Sequence, residues 1–376
     1  MSNLPEKEKE AYISFSAFPL IGPARFSLLK KYFGSAKMAW AAKIGDYIKI
    51  GFSQKLASDF EKFRQNFDLK NYQERLNKFN IGYHTIEDKT YPERLKNIDD
   101  APFLIYYLPG KTSAKSVQLP NLDQLSQVSL AVVGTRKMSA YGREVTEKLV
   151  TQLVDNGLTI ISGLALGIDA IAHKTALSAN GTTIGVLGNG LNKIYPPSNT
   201  HLAQGIITSG CGFLVSEYPL DYPAMPQNFP TRNRIISGLS LAVLVIEGTD
   251  KSGTLLTASL AAKQGRDVFA VPGPVTSPTS RAPHILIKQG AKLVEKVEDI
   301  LEELDISSKL KSQISKLILP GTKEEEAILK LLSEDQMDID GIIRSSNLTS
   351  NQVLSTLTAM ELKGMVKNIG GTYVKV

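Results

Sequence analysis

Apolar residues in the middle of the chain form short uninterrupted runs separated by segments of helical periodicity. The runs are rich in β-branched residues and predict strands at 130–134, 158–163, 182–188, 212–216, 241–247 and 267–272. The intervening segments predict helices near 142–156, 168–179, 199–209, 231–239 and 254–264. Strands that are apolar throughout are covered on both faces, so the pattern predicts an α/β fold with a parallel sheet between helical layers.

Residues 1–80 are predicted to form a separate all-helical domain. Ile21-Gly22-Pro23 and Ile50-Gly51 each lie between two stretches of helical periodicity, which is the pattern of helix-hairpin-helix or SAM-like modules. Such turns can present backbone amides to a DNA phosphate. A small helical domain with glycine C-caps is the other interpretation. We favour the second, because few basic residues flank the turns.

Residues 81–305 are predicted to form the core domain. It opens with a connector at 81–110 that contains short strand-like pieces, followed by a polar loop at 111–127. A linker is expected at 306–321. Residues 322–376 then show helical periods at 323–333, 338–345 and 350–363, followed by strand-like runs at 365–369 and 372–376. Gly370-Gly371 separates these two runs as a hairpin turn, so this unit is predicted to be a winged helix.

Composition narrows the classes of protein that fit. The 376 residues carry a formal net charge of +6, which only mildly favours a polyanionic partner. A single cysteine, Cys211, excludes an internal disulfide, and the four scattered histidines predict no metal site. No bound cofactor is expected. The charged N-terminus is unlike a signal peptide, and no apolar run is long enough to span a membrane. A cytoplasmic protein with no membrane partner is therefore expected.

Polar and aromatic residues collect where the predicted strands end. Because ligands of open parallel sheets bind beyond the carboxyl ends of the strands, we expect a shared site there. The candidate nucleic-acid-binding residues are Gly134, Thr135, Arg136, Ser139, Tyr141, Ser162, Gly163, Asn189, Gly190, Tyr195, Phe229, Arg232, Asn233, Arg234, Lys251, Ser252, Gly253 and Thr254.

The chemistry of these residues predicts a site for phosphate and bases. Glycines allow close approach of backbone amides, and helix N-termini favour anions. Arg136, Arg232 and Arg234 are bidentate phosphate donors, and Tyr195 and Phe229 are candidate stacking platforms for bases. Each residue also has an ordinary structural interpretation: the glycines as turns, Arg136 as half of an ion pair, Phe229 as a buried side chain. The convergence of five strand ends favours the binding site.

Several catalytic patterns are absent from the sequence. No strand-to-helix turn carries the GxGxxG of a dinucleotide site, and no GxxxxGK[ST] sequence indicates a phosphate-binding loop of an ATPase. Ser162, Asp169 and His173 could form a hydrolytic group, but the nucleophile elbow is missing. A helix-capping Asp169 and a packed His173 are the favoured interpretation. The sequence therefore predicts a protein that is not an enzyme.

The chain resembles the family of DNA-processing protein A, also called Smf. The resemblance covers roughly residues 90–300 and lies in ordered motifs. These are Tyr91-Pro92, Val132-Val133-Gly134-Thr135-Arg136, Ser162-Gly163-Leu164-Ala165 with Gly167-Ile168-Asp169, Tyr195-Pro196, Phe229-Pro230 with Arg232-Asn233-Arg234, Ser252-Gly253-Thr254, and Val271-Pro272-Gly273.

The resemblance implies a Rossmann-like core that forms a homodimer, binds single-stranded DNA and passes it to the RecA recombinase during natural transformation. It implies Arg136 as the principal phosphate contact, with Phe229, Arg232, Asn233 and Arg234 in the same groove. Two alternatives stay open. One is a nucleotide-derivative hydrolase on a related Rossmann-like fold, with Glu247 as general base. The other is a duplex-DNA regulator acting through the winged helix, whose recognition helix is polar but barely basic.

Overall fold

The computed structural model describes residues 4–110, 122–210, 212–306, 322–334, 336–346, 348–362 and 365–375. The chain divides into two compact units, Met1–Ile300 and Leu301–Val376. Most of the predicted linker, 307–321, and most of the predicted polar loop, 111–121, lie outside the described residues. The end of that loop was predicted wrongly, because Leu122–Gln127 form a helix that buries Leu122.

Six helices form the N-terminal part of the first unit. They are α1 (Glu6–Ser16), α2 (Pro23–Phe33), α3 (Ala36–Ala41), α4 (Ile44–Lys49), α5 (Gln54–Asn66) and α6 (Leu69–Lys78). Aromatic rings fill their core: Phe15 stacks on Phe60 with centroids 5.5 Å apart and meets Trp40 edge-on at 5.2 Å. Gly34 ends α2 with a φ of 82°, a left-handed conformation that glycine adopts without strain.

A nine-stranded sheet forms the core of the same unit. Its strands are β1 (Gly82–Thr85), β2 (Leu104–Pro109), β3 (Ser129–Val133), β4 (Thr159–Ser162), β5 (Thr183–Val186), β6 (Gly212–Ser216), β7 (Ala242–Val245), β8 (Asp267–Ala270) and β9 (Lys292–Leu293). The order is β1-β2-β6-β5-β4-β3-β7-β8-β9. The strands β3 to β9 run parallel, and β3 to β8 correspond to the six apolar runs that predicted a parallel sheet. The strand β9 was not predicted. The strands β1 and β2 pair antiparallel at one edge and were not predicted as part of the sheet.

Helices cover both faces of this sheet. They are α7 (Glu93–Lys96), α8 (Leu122–Gln127), α9 (Ala140–Asp155), α10 (Ile168–Ser178), α11 (Thr200–Thr208), α12 (Asn228–Leu239), α13 (Gly253–Lys263) and α14 (Arg281–Lys288). A further helix, α15 (Glu298–Glu303), follows β9 along the chain. The successive parallel strands run outward from β3 on one side and from β7 on the other. The order therefore reverses between β3 and β7, where an open α/β sheet has its binding crevice.

A chain of buried hydroxyl groups joins the N-terminal helices to the sheet. Tyr106 on β2 is fully buried, and its hydroxyl lies 2.5 Å from the hydroxyl of Ser16 and 3.1 Å from that of Tyr72. Phe26 of α2 also stacks on Phe103 at 3.9 Å beside the same strand. The helices and the sheet therefore share one continuous interior, in which each buried hydroxyl has a partner.

The second unit contains helices Lys323–Glu334, Ile339–Ser346 and Ser350–Leu362, with strands Met337–Asp338, Val366–Ile369 and Thr372–Lys375. The last two strands pair as a hairpin around Gly370 and Gly371, whose φ angles are 63° and 94°. The winged helix predicted for this region is confirmed.

Candidate nucleic-acid interface

The loop after β3 forms the floor of the crevice. The amide of Thr135 donates to the carbonyl of Glu247 at 2.8 Å, and its own carbonyl accepts from Ile168 at 3.2 Å. A Cβ on Gly134 would lie 2.4 Å from Cγ1 of Ile168, so this position requires glycine. These contacts fix the loop and leave the side chain of the next residue, Arg136, exposed.

An open groove of about 560 Å³ lies above this loop. Ten of the predicted residues line it: Gly134, Thr135, Arg136, Tyr195, Phe229, Arg232, Asn233, Ser252, Gly253 and Thr254. The structure therefore brings together residues that follow four different strands. It also adds neighbours that the sequence prediction did not include, namely Val133, Ala165, Asp169, Pro226, Pro230, Ile236, Thr249, Leu256 and Thr257. Several of these lie one helical turn from a predicted residue, and that spacing could have identified them.

Phe229 is the centre of an aromatic and cationic cluster in the groove. The guanidinium carbon of Arg136 lies 5.5 Å from the centroid of its ring, within range of a cation–π interaction. The ring of Tyr195 lies 5.5 Å away on a plane inclined by 31°. Tyr195 is 44 % exposed, so part of its ring is open to solvent. This arrangement presents a positive charge and flat apolar surface side by side.

Arg232 lines the groove from below and is almost completely buried. Its Nη1 donates to the carbonyl of Gly163 at 2.5 Å and to the carbonyl of Val186, at the ends of β4 and β5. Burial lowers its pKa to about 10, which leaves the group charged at neutral pH. Arg232 therefore ties two strand ends together while it lines the groove, and the buried Gly163 serves as one of its acceptors.

Arg234 does not line the groove, although the sequence predicted it there. Its side chain is buried and pairs with Glu217 and with Asp100, the latter at 3.1 Å. Burial raises the pKa of Glu217, and the nearby Arg234 opposes that shift. On helix α12, residues 232 and 234 point toward different parts of the interior, and Asn233 between them reaches the groove.

Ser139 and Tyr141 support the crevice from one side and do not line the groove. The Ser139 hydroxyl accepts from the amide of Gly142 at 3.0 Å and donates to Oε1 of Glu247 at 2.6 Å. The Tyr141 hydroxyl donates to the carbonyl of Pro272 at 2.6 Å. The first contact caps α9, and the second joins that helix to the end of β8.

Ser162, Asn189 and Gly190 lie behind the groove. The Ser162 hydroxyl donates to the carbonyl of Val132 at 2.7 Å, and the Asn189 amide donates to the carbonyl of Lys193 at 2.6 Å. A Cβ on Gly190 would lie 2.4 Å from the carbonyl oxygen of Pro219, which explains the glycine. These three predicted residues are used to build the strand ends and do not face the groove.

The N-terminus of α13 forms the remaining wall. The Ser252 hydroxyl accepts from the amide of Thr254 at 3.2 Å, so it caps the helix. Gly253 is exposed, and a Cβ there would meet no atom within 4 Å. Lys251 is exposed on the same turn but does not line the groove. The start of this helix lines the same groove as Arg136, and a helix N-terminus favours an anion.

Two possible catalytic groups are occupied by structural contacts. Glu247 is buried and accepts hydrogen bonds from the Ser139 amide at 2.9 Å and from Thr279 at 2.8 Å. His173 is buried against the hydroxyl of Thr183 at 2.7 Å, and burial lowers its pKa to about 3. The Ser162 hydroxyl donates to the backbone carbonyl of Val132, so it too makes a structural contact.

The described residues form neither a metal-binding cluster nor a helix that could span a membrane. No cluster of three or more His, Cys, Asp or Glu side chains among them is placed to hold a metal ion. None of the helices formed by those residues combines the length and the apolar character needed to cross a bilayer.

Comparison with known proteins gives consistent matches. The chain is 42 % identical over 303 residues to Protein Smf of Escherichia coli, covering 78 % of each chain. It is 41 % identical over 219 residues to the DNA processing protein DprA of Bacillus subtilis, covering 58 % of this chain and 70 % of that one. The crystal structure of DprA from Streptococcus pneumoniae superposes with a TM-score of 0.62 at 34 % identity, covering 79 % of this chain and 95 % of that one.

A second solved structure concerns ligand binding directly. It describes the single-stranded DNA binding mode of DNA processing protein A from Helicobacter pylori, with a TM-score of 0.50, 29 % identity, and coverage of 61 % of this chain and 96 % of that one. The sequence models of two protein domains also match, DNA recombination-mediator protein A over residues 82–305 and the DprA winged helix domain over residues 317–372. This chain therefore belongs to the DNA recombination-mediator protein A family, also known as DprA or Smf.

Proposed function

We propose that this protein binds single-stranded DNA in the groove, without catalysis, and passes the strand to a RecA recombinase in natural transformation. The observation that carries the proposal is the cluster of Arg136, Phe229 and Tyr195. Its guanidinium can contact a phosphate while its rings stack on unpaired bases, a combination that suits a flexible single strand. The described binding of single-stranded DNA by the Helicobacter pylori relative supports this ligand.

Duplex DNA fits the groove less well on physical grounds. The bases of a duplex are stacked on each other, so their faces are not available to Phe229 and Tyr195. We therefore expect the protein to prefer single-stranded DNA of mixed sequence over the same sequence as a duplex. A competition titration tests this: an excess of unlabelled duplex should displace a labelled single strand poorly. Equal displacement by both would contradict the proposal.

The proposal also includes a homodimer and RecA as a partner, both of which rest on the family resemblance. They are tested by measuring the mass of the protein in solution and by adding RecA to the protein–DNA complex. Faster RecA filament formation on the bound strand than on free DNA would support the transfer. Slower filament formation at every ratio would argue for protection alone.

The hydrolase alternative finds less support in the structure. Both carboxylate oxygens of Glu247 accept hydrogen bonds from the protein, so neither is directed at a substrate. A general base must reach the proton that it removes. Incubation with nucleoside monophosphates should therefore release no free base, and release that disappears in Glu247→Gln would reinstate the enzyme.

A further inference from the structure

The sixth N-terminal helix contacts the loop that precedes the groove residue Phe229. On α6, the Tyr72 hydroxyl accepts from the amide of Leu220 at 3.2 Å, and Arg75 forms an ion pair with Asp221. Leu220 and Asp221 belong to the loop between β6 and α12. The groove residue Phe229 lies just beyond this loop, in the first turn of α12.

The Asp221 turn holds a second loop in place. The backbone amide of Asp221 donates to Oδ1 of Asn192 at 2.9 Å, and the side-chain amide of Asn192 donates to the Asp221 carboxylate at 2.9 Å. The amide of Gly190 donates to the carbonyl of Tyr222 at 3.0 Å. This second loop, 189–193, leads directly into Tyr195, so the two loops and their aromatic residues are connected by reciprocal hydrogen bonds.

Further hydrogen bonds connect these two loops to the residue before Phe229. The Asn228 amide donates to the carbonyl of Gly188 at 2.8 Å and to that of Pro223 at 3.0 Å. A Cβ on Gly188 would lie 3.2 Å from Cδ1 of Phe229, so the strand end packs against the ring. The positions of Phe229 and Tyr195 therefore both depend on loops that α6 holds.

The strained backbone conformation of Asp221 is stabilised by the contacts of its side chain. Its φ is 64°, in the left-handed region that residues other than glycine adopt at a cost in free energy. Around its carboxylate lie Arg75, the Asn192 amide and Lys193, whose Nζ is 3.9 Å away. The ion pair and hydrogen bonds offset the cost of the turn.

We propose that the N-terminal helices shape the DNA groove, with Tyr72 and Arg75 as positioning residues for the pair of Phe229 and Tyr195. This inference rests on the proposed binding of single-stranded DNA and assigns a role to α6 in it. Neither side chain lines the groove, so each acts through the Asp221 turn.

Asp221→Asn gives a test in which positioning and electrostatics predict opposite signs. The substitution removes a negative charge, so charge alone predicts tighter binding of a polyanion. Asparagine tolerates the left-handed conformation, which excludes backbone strain as a cause. If the turn positions the rings, loss of the ion pair weakens binding, and we expect about five- to tenfold in Kd. Tyr72→Phe should weaken binding similarly with no change of charge.

The measurement is a titration of the full chain with oligothymidine that carries one fluorescent base analogue. Weaker binding should be accompanied by reduced quenching of the analogue, because fewer bases stack on the rings, while the dependence of Kd on salt stays the same. Arg75→Gln should follow Asp221→Asn. Lys78→Gln, which removes an exposed positive charge from the same helix, is the control and should change Kd less than about twofold.

The outcomes separate the two proposals. Failure of the unmodified protein to bind the oligonucleotide contradicts the proposed function. Binding by the unmodified protein, with Asp221→Asn and Tyr72→Phe equal to it or tighter, overturns the positioning role alone. A steeper or shallower salt dependence in Arg75→Gln also overturns it, since that result indicates a direct phosphate contact. Thermal unfolding of each variant confirms that it is folded.

Discussion

Arg136 is the residue whose replacement tests the groove most directly. Its side chain is exposed and lies over the ring of Phe229, and within the described ranges it has no carboxylate partner. Its conformation is therefore not maintained by an internal ion pair. Arg136→Ala should leave the stability of the protein within about 0.5 kcal/mol of the original value, as is usual for surface substitutions.

The loss of DNA affinity should be much larger. One charge-assisted hydrogen bond to phosphate contributes about 1.5–3 kcal/mol. The cation–π contact also orders Arg136 and Phe229 against each other at the place where the bases stack. A total of about 2–3 kcal/mol corresponds to a roughly 30- to 150-fold increase in Kd. The slope of log Kd against log salt should also fall by about 0.7, the value for one phosphate contact on a single strand.

Fluorescence anisotropy with a labelled single strand, repeated at several salt concentrations, measures both quantities. Lys137→Ala is the matched control, because it removes the same charge from the neighbouring exposed residue, which does not line the groove. Arg136→Lys should give an intermediate Kd, since it keeps the charge and loses the bidentate geometry. Equal losses in Arg136→Ala and Lys137→Ala would refute the reasoning, because they would show a response to net charge alone.

Three further predictions concern the groove and its supports. Phe229→Ala should weaken the binding free energy for single-stranded DNA by about 1–3 kcal/mol, with an unchanged salt slope in the same titration, and a changed slope would argue against base stacking. Gly163→Ala should lower the free energy of unfolding by about 1–3 kcal/mol in urea, because the new Cβ would lie 2.3 Å from Nη1 of Arg232; Gly205→Ala, whose nearest neighbour would be 3.5 Å away, should not. For His173 the folded pKa of about 3 lies below the unfolded value of 6.5, so stability rises with pH in that window and is lost as pH falls from 6.5. Between pH 4 and 7, the free energy of unfolding measured in urea should change with pH by about 1.4 kcal/mol per pH unit less in His173→Gln than in the original protein. Equal slopes would contradict this account.

Local pattern in the sequence was sufficient for most of the core. The strands β3 to β8 are short, apolar and covered on both faces, so their runs are unambiguous, and β6 forms over the predicted residues. The strands β1 and β2 were missed as sheet members because they pair antiparallel, and β2 pairs with the distant β6. The other edge strand, β9, was missed because it is only 2 residues long. The sequence pattern predicts which way a side chain points only when its helix or strand has one clearly apolar face.

The uses of the arginines were harder to predict. Arg136, Arg232 and Arg234 are equal as phosphate donors in the sequence, but only the first is exposed. Arg232 is drawn inward by backbone carbonyls at two strand ends, and Arg234 by a carboxylate that precedes it by 17 residues. Such partners come together only in the folded chain, so composition and spacing could identify the crevice but not which charges face it.

The buried hydroxyl of Tyr106 limits how this protein can be divided. Both of its hydrogen-bond partners, Ser16 and Tyr72, belong to the N-terminal helices, and Phe103 beside it stacks on Phe26 of the same part. A fragment starting at residue 81 would expose this apolar edge and leave its polar group without a partner. We therefore expect the isolated sheet to be prone to aggregation, so the N-terminal helices act as a solubilising cover that recombinant fragments should retain.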